Sequence, residues 1–194
     1  MANTPNLLPL LTSLLAHKDG RTAAHSSRVR RYAVRTAHVL GLSKSAVGIV
    51  RQAAVLHDIG KVHIPNEILT HPGKLDAASM ALLRSHALRG EEILQRFPGR
   101  SMREVATLTG THHERFDGSG YPRGLSGHAI PLGARIIAVC DAFDAMTAAR
   151  SYQRPWSREH AIEELIARAG TQFDPDVVAA FLSITGTRHF RISS

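Results

Sequence analysis

Apolar residues along the chain recur at helical spacing, and the two-residue alternation of a half-buried strand is absent. The pattern predicts a first helix over 6–17. A second runs over 21–40, with His25, Val29, Tyr32, Ala33, Thr36 and Leu40 on one stripe and Gly41 as its stop. Ser43 reads as the cap of a third helix that runs to about Asp58 and ends in Ile59-Gly60-Lys61. Residues 65–69 read as a short turn and 71–74 as a loop. Asp76 reads as the cap of a helix through His86; further helices follow over 91–97 and 102–114. A glycine- and proline-rich loop over 116–131 is too long for a plain connector and is expected to carry function. Helices over 132–148 and 158–169 follow, and Asp174-Pro175 opens the last. The expected fold is all-α, one compact helical bundle: an N-terminal helix over 1–18, then a single domain over 19–194.

Composition narrows the classes. The 194 residues are 43% hydrophobic and 21% charged, which suits a folded soluble chain rather than a disordered one. No apolar run reaches the roughly 18 residues of a membrane span, and the N-terminus lacks a signal-peptide pattern. The lone Cys140 sits in an apolar run and is expected to pack inertly in the core of a cytoplasmic protein. The net charge of +8 points to an anionic partner. The densest basic cluster, Arg28, Arg30, Arg31 and Arg35, is expected to fan over a solvent face without interleaved aromatics, so neither nucleic acid nor a membrane is the expected partner.

Twelve histidines are the sharper feature. His57-Asp58 ends one helix and His112-His113 another. Neighbours on a helix diverge by about 100°, so each pair could reach two different metals, the first if the Asp58 carboxylate bridges them. His25 and His112 lie on apolar faces, His86 shares a face with Leu82 and Leu83, and Asp141 shares one with Ile137 and Asp144. Singly, each has a bland reading as a bonded core residue. Together they place five histidines and two aspartates on inward faces, where buried charge needs a partner. Imidazole with carboxylate suits iron, manganese, zinc or nickel rather than calcium.

These residues stand in a recognisable order: His57-Asp58-Ile59-Gly60-Lys61, Pro72 to Leu75, His86 with Gly90, the run from His112 to Pro122, Asp141, Arg150 to Tyr152, and Phe173 to Pro175. Over about 19–181 the chain resembles the HD-GYP family of the HD phosphohydrolase superfamily. The resemblance implies an all-α, metal-dependent phosphodiesterase that hydrolyses cyclic di-GMP to linear pGpG or GMP, by a hydroxide activated between two metals. It assigns His57, Asp58, His86, His112, His113 and Asp141 as metal ligands, and matches His25 to a histidine near an additional metal. It puts Lys61 at the scissile phosphate as a catalytic group beside Asp58. Arg150, Tyr121, Gly118 and Gly120 fall on the substrate side. The implied cofactors are two divalent transition-metal ions, iron or manganese ahead of zinc or nickel. The implied partners are cyclic di-GMP and either a diguanylate cyclase domain or an upstream regulatory domain.

Three departures matter. Arg21 stands where members with a third metal carry glutamate, so a binuclear site is expected; His25 is then a weak ligand, a support for a ligand or a substrate contact. His63 replaces the usual glycine and reads as a surface residue. Gln153, followed by Arg154, replaces a basic residue after Tyr152. Only about 18 residues precede Asp19, which fits a stand-alone domain or a piece of a longer chain. The alternatives are an HD-type phosphohydrolase acting on another nucleotide, or a metal-containing signalling module of low turnover.

Overall fold

The computed structural model describes Leu11, Ser13 and residues 22–148 and 154–186. The helix expected at the N-terminus, apart from Leu11 and Ser13, lies outside the described residues, as do Arg21, Arg150, Tyr152 and Gln153. The architecture is all-α, with no strand among the described residues.

In chain order the helices are α1 (Thr22–Val39), α2 (Lys44–Leu56), α3 (Asn66–Leu69), α4 (Ala77–Arg84), α5 (His86–Gln95), α6 (Arg100–Thr111), α7 (Leu132–Thr147), α8 (Arg158–Ala167) and α9 (Pro175–Ile184). Short 3₁₀ turns cover Ile59–His63 and Gly127–Ala129. The expected caps form: the side chains of Ser43, Asp76, Ser157 and Asp174 each accept a backbone N–H of the first turn. Helix α1 lies against α2 and α7, α2 against α6, and α5 against α6. Tyr32 meets Phe143 and Phe181 edge-on, and those two rings meet tilted, at ring-centroid distances of 4.9–5.6 Å, joining α1, α7 and α9. Cys140 is fully buried in this core, and burial raises its thiol pKa, as expected of an inert residue.

Two element boundaries differ from the sequence reading. Helix α5 begins at His86 rather than near Glu91, so His86 opens a helix instead of closing one. No glycine or proline marks the joint, and Ser85 keeps helical dihedrals (φ −62°, ψ −15°). The packing of the 3₁₀ turn lies here: a Cβ on Gly60 would overlap the backbone of His86 and Gly90. The second difference is that α2 stops at Leu56 and the chain tightens through Asp58 (φ −96°, ψ 5°) into the 3₁₀ turn.

Gly60 therefore sets how closely Asp58 approaches His86. Gly60→Ala places a methyl group against main chain, which cannot rotate away. We expect a loss of about 3 kcal/mol of unfolding free energy, read by urea denaturation; unchanged stability would show that the two segments part without cost.

Candidate metal centre

Three histidines are held in the same way. His57 Nδ1–H donates to the Ala54 carbonyl at 3.0 Å, His86 Nδ1–H to Leu83 at 2.7 Å, and His112 Nδ1–H to Thr109 at 2.6 Å. Carbonyls in a last helical turn lack a helical N–H. Each ring satisfies one three residues back, which fixes its orientation and leaves Nε2 with its lone pair. The Nε2 atoms of His86 and His112 are buried and have no hydrogen-bond partner among the described residues.

The sequence reading expected each adjacent pair to diverge; the structure makes both pairs converge. His57 Nε2 lies 3.5 Å from Asp58 Oδ2. The helical 100° step does not apply, because Asp58 has already left α2. The His112 and His113 rings lie 4.0 Å apart, since α6 ends at Thr111. Two clusters result, His25 with His57 and Asp58, and His86 with His112 and His113; within each, the donor atoms lie within 4.8 Å of one another. Asp58 joins them: Oδ2 faces His57, and Oδ1 lies 3.5 Å from His86 Nε2.

Lys61 follows from the 3₁₀ turn, in which residues three apart eclipse. Its Nζ lies 2.7 Å from Asp58 Oδ2. Burial would raise the Asp58 pKa, but Lys61, His57 and His86 outweigh it and hold the carboxyl well below its usual range. Burial lowers the His86 and His112 pKa values and takes His113 down to about 4, so these rings are neutral at neutral pH. Neutral imidazole is the form that ligates a metal. Buried, inward-facing lone pairs beside an ionised carboxylate fit divalent metal binding.

His25 is more firmly built in than the sequence reading allowed. Its Nδ1–H donates to Asp144 Oδ2 at 2.7 Å, which turns Nε2 toward Asp141 Oδ1 at 3.2 Å and His57 Nε2 at 3.3 Å. Burial lowers the His25 pKa, yet the bonds to Asp141 and Asp144 prevail and raise it to about 9. The reciprocal bond keeps Asp141 ionised against its own burial. Arg28, expected on the solvent face, instead donates to both oxygens of Asp144, at 2.6 and 3.0 Å. Arg30, Arg31 and Arg35 are exposed, and so is His63.

The Tyr121 ring stacks on His113 at 4.9 Å, beside the cluster. Gly118 (φ 82°) and Gly120 each have a packing reason: Gly118 turns against Ser126, and a Cβ on Gly120 would overlap the backbone of Glu114 and Arg115. Buried Glu114 accepts the backbone N–H groups of Arg123 and Leu125, at 2.7 and 3.1 Å, and Arg123 pairs with buried Glu91 at 2.6 Å. These bonds hold the loop that delivers Tyr121.

An HD domain family model matches residues 9–177, most of the chain. The chain belongs to the HD domain family. This HD domain is 44% identical over 172 residues to a 3'3'-cGAMP-specific phosphodiesterase 2 of Vibrio cholerae, covering 89% of the chain and 33% of the relative. It is 43% identical over 175 residues to a cyclic di-GMP phosphodiesterase response regulator of Xanthomonas campestris (90% and 46%), and 40% identical over 178 residues to a cyclic di-GMP phosphodiesterase of Thermotoga maritima (92% and 48%). The chain thus spans half or less of these relatives. Its fold is shared with an HDG"Y"P protein of Bdellovibrio bacteriovorus, at TM-score 0.68 and 19% identity, covering 85% of this chain and 52% of that one. These neighbours agree with the HD-GYP resemblance. Proteins of the HD phosphohydrolase group bind divalent metals, and the histidine–aspartate clusters suit that.

Sequence reasoning missed Arg28, Glu91, Glu114 and the role of Asp144 in this HD domain. A signal existed for two of them: His25 and Arg28 are three apart on α1, Asp141 and Asp144 three apart on α7, so the pairs can face each other. Asp144 orients His25 as a carboxylate orients a ligating imidazole. Asp144→Asn should weaken binding at the His25 cluster by roughly 10- to 100-fold, followed by cobalt titration and its visible absorption; an unchanged isotherm would leave Asp144 without that role.

Proposed function

We propose that the chain is a catalytic domain over 19–194, behind a helix over 1–18, of a cytoplasmic phosphodiesterase that hydrolyses cyclic di-GMP to linear pGpG or GMP. The observation that carries this reading is the Asp58 carboxylate, one oxygen facing each histidine cluster, with Lys61 at its edge. His57, Asp58 and Asp141 would hold one ion, joined by His25 where the ion displaces the proton that its Nε2 shares with Asp141, and His86, His112 and His113 the other, with Asp58 shared. Iron or manganese is favoured over zinc or nickel. Such a pair acidifies attacking water and neutralises the phosphate oxygens.

The chain's own groups do the rest. Water adds to phosphorus, the ester bond to one ribose oxygen breaks, and that oxygen takes up a proton. The Lys61 ammonium, beside Asp58, is placed to offset charge on the phosphoryl oxygens or to supply that proton. Burial raises the Tyr121 pKa above its usual value, so its phenol stays neutral and can donate to the substrate. Arg150, outside the described residues, is assigned to the phosphate side. Gly118 and Gly120 serve by shaping the loop that carries Tyr121. A diguanylate cyclase domain or an upstream regulatory domain is the natural macromolecular partner. Among the described residues no helix is long and apolar enough to cross a membrane.

The 44% identity to a 3'3'-cGAMP-specific phosphodiesterase favours 3'3'-cGAMP as a second substrate. Incubating the metal-loaded chain with both dinucleotides and identifying the products tests the proposal; no product from either, with metal bound, would reject it. Asp58→Ala should lose metal and turnover together, by at least about 100-fold, and full activity in that variant would remove the bridge from the mechanism.

A further inference from the structure

Beside the metal centre lies an open groove of about 520 Å³. Its walls come from α4, the start of α5 and the loop that carries Tyr121. We propose that the groove formed by Met80, Ala81, Arg84, Leu88, Tyr121 and Pro122 is a purine-base subsite in which Arg84 recognises guanine. The ligand class rests on the cyclic-dinucleotide reading above.

The groove is continuous with the site at two points. Ser85, in its wall, directly precedes His86, and Tyr121 also contacts His113. A nucleotide whose phosphate sits at the histidine clusters must put its base to one side, and this groove is adjacent. Three large apolar side chains are exposed among the described residues, Val39, Met80 and Leu88, and two of them line the groove. Exposed apolar side chains gathered beside polar chemistry mark a binding surface.

Arg84 gives the groove its selectivity. Its guanidinium lies over the Tyr121 ring, 5.3 Å from the centroid, and makes no ion pair or hydrogen bond among the described residues. Stacking uses a face of the guanidinium and leaves its N–H edge able to donate. The fork has donors only. Guanine offers two adjacent acceptors, O6 and N7, whereas adenine replaces the first with an N6 donor. Arg84 therefore matches guanine and opposes adenine.

Binding of GMP and of AMP to the metal-loaded chain, measured by equilibrium dialysis, tests the subsite without turnover. The wild-type chain should prefer GMP by about tenfold. Arg84→Gln should erase that preference while leaving AMP affinity within about threefold. Leu88→Glu, at an exposed position, should weaken both nucleotides by about tenfold or more. An equal fall for GMP and AMP in Arg84→Gln would mean that the residue meets the phosphate, and would overturn the proposal. So would a wild-type chain that binds neither nucleotide or binds both alike, or a Leu88→Glu variant that binds as wild type. GMP preference lost in Arg84→Gln, in a chain that hydrolyses no cyclic dinucleotide, would uphold the subsite and reject the enzymatic reading alone.

Discussion

The structure depends on one buried carboxylate. Asp58 is 4% exposed, and its two oxygens face different histidine clusters. A carboxylate in that position is costly unless positive charge surrounds it. Lys61 supplies part of that charge from within the same turn, and His25, whose pKa is raised to about 9, adds to it from α1, whereas burial keeps His86, His112 and His113 neutral. The cluster of His86, His112 and His113 is thus rich in donors and holds no cation of its own, the condition in which a divalent ion adds most to stability. Metal binding and folding draw on the same residues, so the core cannot be separated into a structural part and a metal-binding part.

Around this carboxylate, charge is arranged in graded steps. On the α1 side, His25 is held by Asp141 and Asp144, and Asp144 in turn by Arg28. On the α6 side, burial keeps His112 and His113 neutral, and no carboxylate bonds to either ring among the described residues. The two clusters therefore differ in electrostatic character, one rich in carboxylate and the other almost purely imidazole. Two ions bound there would differ in acidity even if they were the same element.

Much of this was legible in the sequence, for a local reason. Caps, stop signals and the histidine-bearing faces depend on neighbours within a turn or two, and Ser43, Asp76, Ser157 and Asp174 behave as their positions foretell. What was not legible depends on contacts between segments distant in sequence. The start of α5 at His86 coincides with Gly60, twenty-six positions earlier. The divergence expected of His57 and Asp58 presumed an unbroken helix, whereas the chain leaves α2 between them. Arg28 looked like a solvent-facing cation because its partner, Asp144, is far along the chain. Glu91 and Glu114 stood in the sequence only as positions at helix ends, yet both are buried to hold the loop that brings Tyr121 beside His113.

The anchoring of three imidazoles on carbonyls three residues back has a consequence for how such a centre changes over time. Ring direction is written inside each helix end, whereas the span between the clusters is written in the contact of Gly60 with α5. Ligand identity and ligand spacing are thus inherited separately. A lineage can widen or narrow the gap between its two histidine clusters through inter-helix packing alone, with every histidine still in place.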